Sequence, residues 1–373
     1  MPSPRVRAEF AYEGRYGGPP KGFVAARGRL LLLGEHVEAG GGPVLALPLR
    51  LGVTCAWGPR PDRSVRIVAL DAKAGDRFVH GAYAKSGRRW ADLVRGVCAA
   101  IEAEGVRLPG IDLVVAGDLP ARRGLGSSGA FLTAIVRAFD AARGDDPTPP
   151  STVADVVTEA ERTWGGADAA PLDAYVAAVG EPGRPLLVDT VRRAHETLPW
   201  PDGVEAVPID TGVHPTRAET PWADRHAELL EGLKRLAHAR EAARSAGTTP
   251  DDARLLDRLP EPFVRRARHH VTEVRRVLEG AQALRRGDAV ALGRLVDESH
   301  RSLARDLQSS TPAVEAMVAA RRAEPGVLGV RMHGLGWGGC LLVVREARPP
   351  SSDAADDDAS APDSSDDDAT TAT

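Results

Sequence analysis

The sequence predicts a two-domain chain of mixed helix and strand. Its 373 residues exceed the ~150 typical of one domain. Short apolar runs of strand type alternate with apolar repeats at helical spacing. With 43% apolar and 27% charged residues, the chain can bury a core.

Taken in order, residues 24–33 are apolar, GEHVEAGGG interrupts them, and residues 44–57 resume with β-branched and apolar side chains, giving strand, loop, strand. Residues 64–70 (SVRIVAL) alternate and suit a further strand. Residues 90–103 place Leu93, Val97 and Ile101 at helical spacing. Residues 111–116 (IDLVVA) form a short buried strand, a Gly-rich stretch covers 117–129, and 130–142 suit a helix. Residues 143–152 are a loop, and 153–164 a helix ending at Gly165-Gly166. A strand signal returns at 204–209, and 226–245 repeat Leu229, Leu230, Leu233 and Leu236 at helical period. Residues 263–306 hold two helices broken near Gly287-Asp288, and 326–344 read as two strands around a Gly-rich turn. A second domain begins around 190–205.

The net charge of −4 divides unevenly. Residues 351–373 hold eight Asp and neither Lys nor Arg, so the remainder carries +4. That tail cannot bury a core and is expected to be disordered. A body at +4 is too weakly basic to suggest nucleic-acid binding. No apolar run approaches the ~18 residues of a membrane span, and the first ten residues lack a signal-peptide core. Cys55, Cys98 and Cys340 stand alone, which indicates neither a disulfide scaffold nor a zinc site. A cytoplasmic protein is expected. All but four of the 48 basic residues are Arg, so no single Arg is informative by itself.

The segment Gly124-Leu125-Gly126-Ser127-Ser128-Gly129-Ala130 enters a helix. Small residues let backbone close around an anion, and the free N–H groups of a helix start face it. Gly124-x-Gly126-x-x-Gly129 also fits a dinucleotide fingerprint, although Pro120 and two arginines separate it from the strand and Pro149, Pro150 and Ser151 stand where the acidic partner belongs. Gly126-Ser127-Ser128-Gly129-Ala130 nearly fits a nucleophile elbow, but its last position is Ala130. An ordinary Gly-rich helix start is the third possibility.

Three segments in order resemble the GHMP kinase superfamily, the galactokinase family most closely, and the resemblance covers nearly all of residues 10–344. Gly28-Arg29-Leu-Leu-Leu-Leu-Gly34-Glu35-His36-Val-Glu38-Ala-Gly40-Gly41 is similar to GRVNLIGEHTDYNGG, and Phe10 with Tyr16-Gly17-Gly18 resembles the lead-in before it. The loop at 124–130 resembles PxGxGLSSSAS, and Met332-His333-Gly334-Leu335-Gly336-Trp337-Gly338-Gly339-Cys340 resembles MTGGGFGGC. Glu298-Ser299-His300 matches a further family segment.

The resemblance implies two α+β domains. An N-terminal domain similar to the ribosomal S5 domain 2-like fold would span residues 1–195 and bind ATP and sugar. A ferredoxin-like C-terminal domain would span 196–349, ahead of a tail at 350–373. It implies ATP-dependent phosphorylation of the anomeric hydroxyl of a monosaccharide, galactose first, and a monomer or weak dimer binding neither nucleic acid nor membrane. Asp173 matches the family base and Arg29 its cationic partner; read without the family, they are a solvated loop Asp and a surface charge. Gly124, Leu125, Gly126, Ser127, Ser128, Gly129 and Ala130 match the ATP loop, and Trp90 matches a helix near the adenine, a core aromatic being equally open. Ser128 and Glu161 match the ligands of Mg²⁺, a hard ion suited by oxygen. Glu35, His36, Glu38, Trp222, Gly334 and Gly336 match the sugar side; a buried structural His and a plain hairpin turn are the other readings.

The sugar side departs from the family pattern. Glu38 stands for an Asp, Ala170 and Ala174 for a Gly and a Gln, Trp222 for a Tyr, Leu31 for an Asn and Leu335 for a Gly. A kinase for arabinose, a uronic acid or an amino sugar, or a non-catalytic sugar and ATP sensor, therefore stays open. So does an oxidoreductase built on the dinucleotide fingerprint.

Overall fold

A computed structural model describes residues 2–120, 123–166, 171–246, 249 and 251–347. Ala170 and the tail at 350–373 lie outside the described residues. Helix α1 (Pro4–Tyr16) starts at Ser3, whose hydroxyl accepts the Val6 N–H, with Pro4 in the first turn. Strands β1 (Gly22–Leu33), β2 (Pro43–Arg60), β3 (Ser64–Ala69) and β4 (Ala74–Val79) follow, then α2 (Arg89–Ala103) and β5 (Gly110–Gly117). Helices α3 (Ser127–Arg143), α4 (Pro150–Thr163) and α5 (Leu172–Val179) precede the short strands β6 (Leu186–Asp189) and β7 (Ala194–Thr197).

These strands form one sheet in the order β4-β3-β5-β2-β6-β7, with β1 antiparallel to β2. At 18 residues, β2 is long enough to meet β6 along residues 43–46 and β5 along 53–60. The run Leu30-Leu31-Leu32-Leu33 is buried on both faces of β1. Leu31 packs with α3 and α5 in the larger core, whereas Leu30, Leu32 and Leu33 join a second core. A strand covered on both sides needs no polar alternation, which is why the sequence shows none there.

A second sheet, β8-β10-β9, is built from β8 (Val204–Asp210), β9 (Val327–His333) and β10 (Cys340–Glu346), all antiparallel. Between β8 and β9 lie α6 (Trp222–Ser245), α7 (Asp252–Leu256), α8 (Phe263–Arg285), α9 (Ala289–Ser302), a π turn at Leu303–Leu307 and α10 (Pro312–Arg322). The second core joins the halves: Leu30, Leu32 and Leu47 meet Val277 and Ala281 of α8, Leu295 of α9 and Leu342 of β10.

The strands and helices expected from pattern are present, with ends differing by a few residues. Helices α1, α5, α7 and α10 and strands β4, β6 and β7 carry no periodic signal strong enough to be read from sequence. The heptapeptide SVRIVAL ends as a strand at Ala69, because the chain turns at Leu70, whose carbonyl accepts the Lys73 N–H at 3.0 Å.

Candidate active site

The site forms where β1, the glycine loop, α5 and the turn after β9 converge. Gly28 has no room for a side chain: a Cβ there would lie 2.8 Å from the Leu125 carbonyl. That approach lets the Arg29 N–H donate to Leu125 O at 2.9 Å, tying the loop to β1. The Leu125 side chain is buried in the second core and anchors the loop from below.

Gly126, at φ +73°, caps α3 without a side-chain hydrogen bond. The left-handed conformation is one that glycine adopts readily. The first turn of α3 therefore presents its N–H groups at Ser127, Ser128 and Gly129, an arrangement that attracts anions. Ala130 is fully buried and its N–H already bonds Gly126 O, so it packs and offers no polar contact.

Arg29 is largely buried and uses its whole guanidinium. Nε donates to Asp173 Oδ1 at 2.9 Å, Nη2 donates to the same oxygen, and Nη1 donates to Gly124 O at 2.7 Å. Burial alone would lower its pKa, but the carboxylates of Asp173 and Glu35 outweigh that and raise it. Asp173 is the second residue of α5, with Oδ2 directed toward Gly126. Gly129 allows α3 and α5 to pack here: a Cβ on it would fall 2.8 Å from Asp173 Cβ.

Ser128 Oγ donates to Glu161 Oε1 from the end of α4. Burial raises the Glu161 pKa, and the Ser128 bond opposes that rise. Among the described residues no group of three His, Cys, Asp or Glu side chains could hold a metal. A hydroxyl and one carboxylate nevertheless fit Mg²⁺, which commonly takes one or two protein oxygens and completes its shell with substrate phosphates and water.

Beside Asp173, Glu38 Oε1 accepts the Leu172 N–H at 3.1 Å. Burial and then the Asp173 charge push the Glu38 pKa up to about 7. Glu35 is 3% exposed. Its Oε1 accepts the Gly334 N–H at 2.8 Å, and Arg331 Nη1 stands 3.7 Å from Oε2. Glu35 thus braces the turn after β9 against β1. Its pKa is raised by burial, against the pull of Arg331 and Arg29. His36, at φ +62°, is half-buried and lines a small cavity of about 10 Å³ with Trp222, Arg225, His226, Leu229, Leu307 and Trp337. Burial, then the His269 and His226 rings, lower its pKa to about 3. Trp222 stacks on His226 at 4.7 Å, and the Arg217 guanidinium lies over the Trp222 ring at 4.0 Å.

Gly334 meets Gly124 backbone to backbone, whereas Gly336 closes on Ser309, whose carbonyl would lie 2.6 Å from a Cβ there. Trp90 is half-buried at the margin of the larger core, near the start of α2. The structure therefore gathers Arg29, Asp173, Glu38, Gly124, Gly126, Ser128, Glu161 and Gly334, and gives Leu125, Ala130 and Gly336 packing roles. The sequence reading missed Arg331 and His333 of β9, both fully buried behind Leu31. Their sequence signals are the period-two spacing that sets both on one face of a strand and, for His333, its place in the third family-like segment.

The chain is similar to known proteins along most of its length. Residues 92–181 match the GHMP kinases N-terminal domain, 11–59 the galactokinase galactose-binding signature and 281–360 the GHMP kinases C-terminal domain. A galactokinase of Roseiflexus sp. (strain RS-1) is 32% identical over 342 residues, covering 90% of this chain and 86% of that one. A galactokinase of Homo sapiens is 33% identical over 351 residues, covering 92% and 88%. The crystal structure of Lactococcus lactis galactokinase complexed with galactose matches with a TM-score of 0.80 at 23% identity, over 91% of this chain and 89% of that one. Methanococcus jannaschii mevalonate kinase matches at 0.61 and 12%, over 88% and 92%.

Proposed function

The chain belongs to the galactokinase family of the GHMP kinases, and from that premise we propose that it transfers the γ-phosphoryl group of ATP to the anomeric hydroxyl of galactose. It is a sugar kinase. Phosphoryl transfer asks the protein for an anion cradle, charge stabilisation and a positioned acceptor. The first turn of α3 and the glycine loop supply the cradle. Asp173 takes the proton of the anomeric hydroxyl as its oxygen attacks the γ-phosphorus and the bond to ADP breaks. Arg29 orients the Asp173 carboxylate through its two donated hydrogen bonds and offsets charge on the transferring group. Ser128 and Glu161 would hold Mg²⁺, which supplies further neutralisation of the phosphates. Glu35, His36, Glu38, Trp222 and Gly334 line the sugar side, and Trp90 lies on the adenine side.

The observation that carries this reading is the Arg29 fork, which binds Asp173 and the Gly124 carbonyl at once. We assign residues 1–195 to the nucleotide- and sugar-binding domain, 196–349 to the second domain and 350–373 to a dispensable tail, in a cytoplasmic monomer or weak dimer. Among the described residues no helix is long and apolar enough to cross a membrane.

The test is ADP release with galactose, arabinose, glucuronate and galactosamine in turn. Galactose is expected to give the highest kcat/KM. Asp173→Asn should lose ~10²- to 10⁴-fold in kcat while ATP still binds. Failure of every sugar would remove the kinase reading, and a fully active D173N would remove the assignment of the base.

A further inference from the structure

Strand β1 pairs with β2 along one side only. On the other side two of its N–H groups, and that of Gly34 just past its end, are taken by three different segments. Arg29 N–H donates to Leu125 O at 2.9 Å, Leu31 N–H to His333 Nε2 at 2.9 Å and Gly34 N–H to Glu273 Oε1 at 2.8 Å. The Leu31 carbonyl accepts from Arg331 Nη2. Both polar groups of Leu31 are therefore held by side chains of β9, some 300 positions away in the chain.

The segment held in this way is set off within its strand. Its pairing with β2 is irregular between Arg27 and Arg29 and again between Leu31 and Leu33. Residues 29–31 thus lie between two breaks in register, where a strand bends most readily. Their edge away from β2 is held by contacts from outside the sheet.

His333 is fully buried, and because Nε2 accepts the Leu31 N–H, its one proton lies on Nδ1. Burial, and then the cations of Arg29 and Arg331, keep the ring neutral by holding its pKa well below the ordinary value. Nδ1 lies against the glycine loop, 3.3 Å from where a Cβ on Gly124 would sit. The ring therefore spans the gap between the catalytic strand and the phosphate loop.

We infer that His333 is a positioning residue for phosphoryl transfer: by holding the Leu31 peptide it fixes the stretch of β1 from which Arg29 reaches Asp173. The inference rests on the reading of Arg29 and Asp173 as the reacting pair. Loss of the acceptor leaves a buried N–H unpaired, and β1 relieves it by shifting between its two breaks. Arg29 then approaches Asp173 from a different place, and small displacements of this kind are costly in rate.

Four full-length proteins test this: wild type, His333→Ala, His333→Gln and His333→Asn. The Gln side chain sets its amide oxygen where Nε2 stands, and the shorter Asn reaches only the Nδ1 position. Assayed below their melting temperatures, H333A and H333N are expected to lose about tenfold or more in kcat, with KM for ATP changed by less than about twofold, whereas H333Q stays within about threefold of wild type. Added to Arg29→Lys, H333A should cost less than about a further twofold, because residues acting through one another are not additive. Unchanged kcat in H333A, equal rates in H333Q and H333N, or the same cost in both Arg29 backgrounds would overturn the inference. Should H333A not fold, the Gln and Asn proteins decide the matter alone. Crystal structures of H333N and H333Q decide it even where wild type phosphorylates no sugar, an outcome that counts against the kinase reading instead. Arg29 parted from Asp173 in H333N and restored in H333Q is expected; an unaltered contact in both overturns the inference.

Discussion

The Leu172 N–H donates to Glu38 at 3.1 Å, setting the Glu38 carboxylate beside that of Asp173. Burial and the neighbouring negative charge raise the Glu38 pKa from 4.5 to about 7. The native state thus binds a proton over a range in which the unfolded chain has released it. Stability from this group is fully present below pH 4.5 and is lost as pH rises through about 7. Glu35 and Glu161 are also raised and act in the same direction. Glu38→Gln removes one contribution. In thermal unfolding without ligands, wild type is expected to lose more stability than E38Q between pH 5 and pH 8, so that E38Q gains on wild type at the alkaline end. Parallel curves for the two proteins would show that Glu38 titrates normally.

Ser128→Ala tests the proposed metal pair. The hydroxyl donates to Glu161 Oε1, and its removal takes away the interaction that opposes the burial-driven rise in the Glu161 pKa. A carboxylate more readily protonated, in a site with one oxygen fewer, holds a cation less well. The concentration of free Mg²⁺ giving half-maximal rate should rise by roughly tenfold, in the range found when groups supporting metal ligands are removed. Initial rates at fixed ATP and varied Mg²⁺ measure this. An unaltered Mg²⁺ requirement in S128A would remove Ser128 from the site.

The parts legible in the sequence are those whose signals are local. The apolar run at 24–33 showed a strand, and the glycine loop showed a helix start, with anion binding one of its readings. Helix α5 was hidden for a physical reason: LDAYVAAV is apolar almost throughout and buried on most sides, so it has no helical stripe. Strand β7 is exposed along its length and is held by its ladder to β6, which leaves no pattern in its own residues. Arg29 is one Arg among many; family resemblance alone singled it out, and its importance depends on Asp173, 144 positions away. His333 and Arg331 share a strand face, but the peptide they hold belongs to another sheet, a long-range fact that no local period encodes.

Gly129→Ala separates two roles of the glycine loop. Position 129 lies in the first turn of α3, where Ala is favoured over Gly by up to ~1 kcal/mol on helix propensity alone. Were Gly129 there only to bare the backbone to a phosphate, G129A would be more stable and bind ATP less well. The packing against α5 argues otherwise. A Cβ at 129 would fall 2.8 Å from Asp173 Cβ and 3.0 Å from both the Asp173 carbonyl carbon and the Ala174 nitrogen. Two of those atoms are backbone and cannot swing aside as a side-chain end would. Because Leu172, Ala174, Tyr175 and Val176 bury α5 in the larger core, the helix moves as a body or not at all. Overpacking of this kind costs roughly 1–3 kcal/mol, which exceeds the gain in propensity. The displaced helix carries Asp173 away from Arg29, so kcat should fall by about tenfold or more while KM for ATP changes less. Melting temperature and steady-state kinetics of G129A decide between the roles: a protein that melts higher than wild type with unchanged kcat would show that the α3–α5 approach does not set the position of Asp173.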